Sequence, residues 1–224
     1  MKLNWDNFNK VAYWMLSLIY LNLLWIIFTV LGLGILGLFP STVALFGVVR
    51  LMVMKEGKEP FKVFQSFWRI FKKDFWKANS FGLFFAFICY FLIFDFQFVQ
   101  LSNGQFNFLL PALFFILIFS ILTLLFFFPV YVHFELKYFQ YIKQSFLIAI
   151  TSPLELFGIL ASTLAMYFFL TFLPGAIPLF SGSLLAYAIT VLSFRAFRRI
   201  EQKQKVQQEK PLVSKDMLVE DLKS

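Results

Sequence analysis

Few side chains in this sequence could carry chemistry, and each has a plain structural reading beside the functional one. Gly32, Gly34 and Gly37 spell G-x-G-x-x-G. That pattern cradles a dinucleotide when it follows a strand, opens a helix and precedes an acid about 20 residues on. Here an apolar stretch precedes it and no acid follows before Glu56, so a hairpin turn or close helix packing is the better reading. Asp95 lies well inside an apolar segment, where a carboxylate is costly and by default suggests an ion or substrate path. It also falls about one helical turn from the outer end of that segment, so a solvated rim acid stands beside the role of transport acid. His133 and Glu135 are two apart; on a helix such residues point about 200° away from each other and would not share a metal. Glu155 closes S-P-L-E after Ser152 and Pro153, a capping box that accounts for the acid without a site. Asn22 and Thr29 read as bonds between membrane helices. Cys89, the sole cysteine, excludes an intrachain disulfide and reads as a buried spectator. No serine or cysteine sits beside a plausible base, and no His/Cys cluster has metal-ligand spacing. The expectation is a protein without catalytic, cofactor or metal residues, and not an enzyme.

The elements that must hold these residues are membrane spans. The chain has 224 residues, 60% hydrophobic and 14% charged, with 35 phenylalanines; a soluble domain carries about 25% charged residues. Three uncharged runs, Val11–Val49, Phe96–Phe134 and Leu156–Phe194, are each 39 residues long. About 20 residues cross the hydrocarbon core, so each run holds a pair of spans, or one span and a re-entrant piece. The first run is too long for the apolar part of a signal peptide and no A-x-A-like site follows it. The predicted fold is an all-α, polytopic transmembrane helix bundle of five to six spans with cytoplasmic amphipathic helices. Spans are predicted at 11–31, 41–54, 78–99, 106–132, 153–173 and 178–194. The second, opening at Pro40, is short or re-entrant. Amphipathic pieces are predicted at 61–77 and 134–151. A charged cytoplasmic tail, 198–224, follows the transmembrane domain (1–197); it is expected to be helical to about Gln208 and broken near Pro211.

Charge placement sets the topology. With six crossings, all 20 Lys and Arg residues fall on one side, two near the N-terminus, eight from Arg50 to Lys77, two in 134–151 and eight from Arg195 on. Loops rich in Lys and Arg stay in the cytoplasm. The protein is therefore expected in the cell membrane with its C-terminus inside. Five spans would move only the N-terminus.

Arg50–Lys77 is the most distinctive stretch, a basic and aromatic island between uncharged blocks. Phe61, Phe64, Phe67, Trp68, Phe71 and Phe75 recur at three- and four-residue steps, which makes one helical face almost wholly aromatic. Lys62, Arg69, Lys72, Lys73 and Lys77 lie largely off that face, and Trp76 adds a further ring. Rings on one side and cations on the other suit the headgroup boundary of an anionic bilayer. Packing of the same rings against neighbouring spans is compatible with that. Phe61, Lys62, Phe64, Trp68, Arg69, Phe71, Lys72, Lys73, Phe75, Trp76 and Lys77 are the candidate surface for membrane or partner contact. The net charge of +8 needs no nucleic acid to explain it.

These residues carry a resemblance. N-L-L-W at Asn22–Trp25, F-P-S-T-V-A-L at Phe39–Leu45, and Val48-Val49-Arg50 resemble the YesL-like bacterial membrane proteins, a family of unknown function. Phe64, Phe67-Trp68, Phe71-Lys72 and Phe75-Trp76-Lys77 continue it, and F-F-P-V-Y-V-H-F-E at Phe127–Glu135 looks like the family's second landmark. The likeness covers most of Asn4–Phe197, although the Gly-Leu-Gly turn is looser than the family's hydrophobic–Thr–Gly–Pro turn. It implies a small integral membrane protein, typically of Gram-positive bacteria and often encoded beside carbohydrate transporters and sensors. It carries over no catalytic residues. The functional expectation is a non-enzymatic accessory or regulatory protein linked to carbohydrate uptake, with a carbohydrate permease or sensor as partner and self-association left open. The alternative is a small transporter or channel for an ion or solute.

Overall fold

The computed structural model describes residues 5–55, 62–102 and 104–221; Phe61 lies outside them. Among the described residues the chain is all-α, with no strand. Its helices are α1 (Trp5–Leu31), α2 (Ile35–Lys55), α3 (Val63–Leu101), α4 (Leu110–His133), α5 (Tyr138–Thr151), α6 (Pro153–Phe172), α7 (Ile177–Phe180) and α8 (Ser183–Asp221). Short 3-10 turns precede α4 and α7. Five helices are long and apolar enough to cross a membrane, and a pair bent by 60° at its break, Pro174–Phe180 with Ser183–Gln202, brings the number to six. This is a multi-pass membrane protein.

Four boundaries differ from expectation. The second span is not short: α2 starts at Ile35 and holds Pro40 inside it, giving 21 residues, roughly 31 Å of helix. Pro40 stands early enough that the carbonyl its missing N–H leaves free, that of Leu36, belongs to the first turn, where helices bend most easily. The ambiguous crossing is instead the last one, broken between α7 and α8. The amphipathic piece and the third span form one 39-residue helix, α3, because Lys77-Ala78-Asn79-Ser80 contains no glycine or proline to stop it. Finally, α8 continues through Pro211 to Asp221. One proline removes one backbone hydrogen bond, and good helix formers such as Glu209 and Lys210 stand before it.

The spans are positioned by close approach at glycine and by aromatic packing. α2 lies centrally, against α1, α3, α4 and α8. The α1–α2 hairpin closes through Leu33 and Gly34, both at positive φ (58° and 75°). A Cβ on Gly37 would stand 2.5 Å from the Thr29 carbonyl oxygen, and one on Gly32 2.3 Å from Gly37 Cα. The glycine pattern is thus a tight helical hairpin. Gly82 admits the Phe39 ring, whose nearest atoms are 2.8 Å from where a Cβ would be. Phe81 is fully buried and stacks on Tyr138 at 4.0 Å between ring centroids, with Phe127 edge-on at 5.0 Å. Cys89 is exposed and free, correcting the buried reading. It stands beside Phe87 and Tyr90, also exposed on α3, so the surface it faces is the one a bilayer covers.

Asn22 joins the broken pair to the rest. It is fully buried; its Nδ2 donates to Pro178 O at 2.8 Å, and its Oδ1 accepts from Gly182 N (2.8 Å) and Ser183 N (3.0 Å). The first N–H groups of a helix lack partners within it, and here a side chain from α1 caps α8 across the interface. Thr29 likewise bridges to Ser41 of α2, Oγ1 to Oγ 2.7 Å.

Candidate functional site

Four elements meet in a cavity of about 840 Å³. The last turns of α2 bring Gly47, Arg50 and Leu51 to it. From α3 come Arg69, Lys73 and Lys77, one face at four-residue steps, with Ile70 and Asp74 alongside. α4 ends in Tyr131, Val132 and His133, the linker adds Phe134, Glu135 and Leu136, and α5 contributes Tyr141.

The linker shapes the site. α4 stops at His133, and Phe134 is extended (φ −106°, ψ 146°). Residues two apart on extended chain point the same way, and both His133 and Glu135 line the cavity. The helical argument that kept them apart therefore fails, because there is no helix between them. The Tyr141 hydroxyl holds this linker: it donates to Phe134 O at 3.2 Å and accepts from Leu136 N at 3.1 Å. Lys77 Nζ also donates to it at 3.3 Å. The same ammonium lies 4.6 Å from the Tyr141 ring centroid and 5.1 Å from that of Tyr131, a cation held over two aromatic faces. Tyr131 donates its hydroxyl to Asp74 Oδ1 at 3.2 Å. The His133 ring packs on Phe194 and Phe197 of α8, at 4.9 Å from each.

Four cations and two carboxylates line the cavity. Among the described residues none of these six is in an ion pair; the ion pair present joins Arg199 Nη1 to Glu155 Oε1 at 3.2 Å, away from the cavity. That pair corrects the capping box. Ser152 makes no side-chain cap bond to α6, and Glu155, 6% exposed, turns to α8 instead. Arg50 Nε and His133 Nδ1 are buried without a hydrogen-bond partner among the described residues.

The predicted contact surface divides. Arg69, Lys73 and Lys77 reach the cavity, whereas Lys62 and Lys72 are exposed outside its lining. Phe71 and Phe75 are half-buried, with Phe71 5.0 Å from Phe28 of α1. Phe64, Trp68 and Trp76 are exposed. Asp95 is half-buried on α3 and stands apart from the cavity. Sequence reasoning missed Asp74, Tyr131 and Tyr141. Two signals pointed toward them: the Arg69–Lys73–Lys77 ladder, and the Phe127–Glu135 landmark that ends at the linker.

The family model described as "Protein of unknown function, DUF624" matches residues 18–96, the part from α1 through most of α3. Over 193 residues the chain is 36% identical to the uncharacterized protein YteU of Bacillus subtilis (strain 168), covering 84% of each chain. The chain belongs to the DUF624 family. It is also 33% identical over 201 residues to the uncharacterized protein YesL of the same organism, covering 89% of this chain and 93% of that one. The uncharacterized protein YesV, again of Bacillus subtilis (strain 168), is 30% identical over 183 residues, 81% of this chain and 87% of its own. No solved structure matches the chain. The family match spans the α2 and α3 walls of the cavity; the α4–α5 wall lies beyond it.

Proposed function

We propose that this DUF624 protein is a non-enzymatic accessory or regulatory component of the bacterial plasma membrane, linked to carbohydrate uptake. Its basic end and C-terminus face the cytoplasm, in keeping with the preference of Lys and Arg for that side. The observation that carries the reading is the outward stripe of α3. Phe64, Trp68, Lys72 and Trp76 follow one another at four-residue steps and are all exposed, Trp76 by 84%, while Phe67, to one side of that stripe, is fully buried. Rings exposed among Lys62, Lys72 and Lys73 suit anionic headgroups, where each cation is worth about 1 kcal/mol. They equally suit a partner surface rich in aromatic contacts. The carbohydrate link and the choice of a permease or sensor as partner rest on the family resemblance.

Mild crosslinking in native membranes, affinity purification and mass spectrometry test this. A sugar permease or sensor recovered in stoichiometric amount, and lost when Lys62, Arg69, Lys72 and Lys73 become glutamine, is the expected result. Recovery of the chain alone, or unchanged association in that variant, overturns it.

A second reading, a small transporter or channel, is favoured by one specific observation. The α7–α8 break meets α1 at Asn22, halfway along Val11–Leu31, and broken helices near the midplane build transporter sites. Solute flux into liposomes that is lost in Gly182→Val or Asp95→Asn would move the assignment there.

A further inference from the structure

The basic cavity has properties that an accessory role does not require. It gathers Arg50, Arg69, Lys73 and Lys77, against Asp74 and Glu135, so the lining is positive by two charges. Like charges lining one cavity repel, weakly at the exposed Arg69, Lys73 and Lys77 and more strongly at the half-buried Arg50. The two carboxylates do not offset this: Asp74 accepts the Tyr131 hydroxyl, Glu135 is exposed, and neither is within ion-pair distance of a described cation. The Arg50 Nε is buried with no acceptor among the described residues, and a buried donor left without a partner costs about 1–3 kcal/mol. Lys77 gives one of its three N–H bonds to Tyr141 and is steadied over two rings, which fixes where its charge stands before anything binds.

We infer that this cavity binds a phosphate-bearing polar molecule, with the half-buried Arg50 as the inner donor and the exposed Lys77, Arg69 and Lys73 around it. A guanidinium and an ammonium on facing elements are the donors that clasp phosphate oxygens. A volume of about 840 Å³ is far larger than an inorganic ion needs and lies within the ~300–1,000 Å³ of small-molecule sites. The phosphate therefore arrives on an organic body. A soluble phosphate monoester and the headgroup of an anionic phospholipid share that chemistry. Either would reach the cavity at the basic end of the bundle, where α2 and α4 end. The inference goes beyond the proposed accessory role, and the site stands or falls without it.

Glycerol 3-phosphate, a fragment common to both sources, is the probe. The full-length protein in a neutral detergent is titrated with it at constant ionic strength, and the melting temperature is followed. In parallel, native mass spectrometry counts the phosphatidylglycerol molecules retained per chain. A saturable rise in melting temperature assigns a soluble ester. Stoichiometric retention of phosphatidylglycerol without that rise assigns a headgroup. Either effect should weaken about tenfold or more in Arg50→Gln and persist in Lys62→Gln/Lys72→Gln, whose residues lie outside the lining. Lys73→Gln, at an exposed position, repeats the test if Arg50→Gln does not fold. No saturable response and no retained lipid, or equal responses in cavity and surface variants, overturns the inference.

Discussion

Two cavities of the bundle are opposites. The basic one, about 840 Å³, is lined by four cations beside a linker that the Tyr141 hydroxyl holds, and the buried Arg50 Nε has no partner among the described residues. The other, about 370 Å³, lies among Trp25, Leu45, Phe46, Phe128, Gly182 and Leu185, where α1, α2, α4 and α8 meet. Trp25 Nε1 there donates to Thr42 Oγ1 at 3.1 Å, and Asn22, beside it, holds Pro178, Gly182 and Ser183. A polar side chain inside a membrane bundle that satisfies its neighbours serves architecture. One that remains unsatisfied is available to a ligand. Charge separates the two cavities as well as size: four cations line the first and none lines the second.

Three substitutions break or sharpen that contrast. The largest effect is expected from Asn22→Ala. It leaves the Gly182 and Ser183 N–H groups at the start of α8 buried without acceptors and should lower stability by about 3 kcal/mol, read as an early melting transition in detergent. A change below about 1 kcal/mol would mean that the break is not held by this residue and that the apolar cavity is free to open. Tyr141→Phe acts on the basic cavity. It keeps the ring under Lys77 but releases Phe134 and Leu136, at a cost of about 2 kcal/mol. Hydrogen exchange should rise at 134–136 and not in α2; protection left unchanged there would remove the tyrosine as the cavity's anchor. The smallest is Thr42→Val, which deprives the Trp25 indole of its acceptor for about 1 kcal/mol. Its effect should be confined to the apolar cavity, leaving glycerol 3-phosphate titrations as in the parent chain.

Much of the architecture could be read without coordinates, because a bilayer demands apolar stretches of fixed length whatever their neighbours. The aromatic island shows where that reading runs out. Phe64, Phe67, Trp68 and Phe71 share one chemistry and one spacing, so periodicity cannot say which ring faces lipid. The packing of α1 and α2 decides it: Phe28 touches Phe67, Trp68 and Phe71 at 5.2, 5.6 and 5.0 Å, yet only Phe67 is fully buried. Likewise S-P-L-E has every mark of a capping box, yet Arg199, 44 residues later, captures Glu155. His133 and Glu135 line the same cavity because helix α4 ends at His133, and nothing in V-H-F-E signals that stop.

The sequence by itself determined that this is an all-α, multi-pass membrane protein, that its cations gather in a few segments, and that its glycines close a hairpin. Those properties follow from local chemistry: span length, charge, and the space a missing Cβ leaves. Tertiary structure alone decided which cations face one another and which buried donors find acceptors. Arg50, Lys77, Tyr131 and Tyr141 lie on four different helices, and only the packing of α2, α3, α4 and α5 places them around one cavity. Hydrogen bonds act over about 3 Å, so their partners are set by how helices cross, a relation no single segment contains.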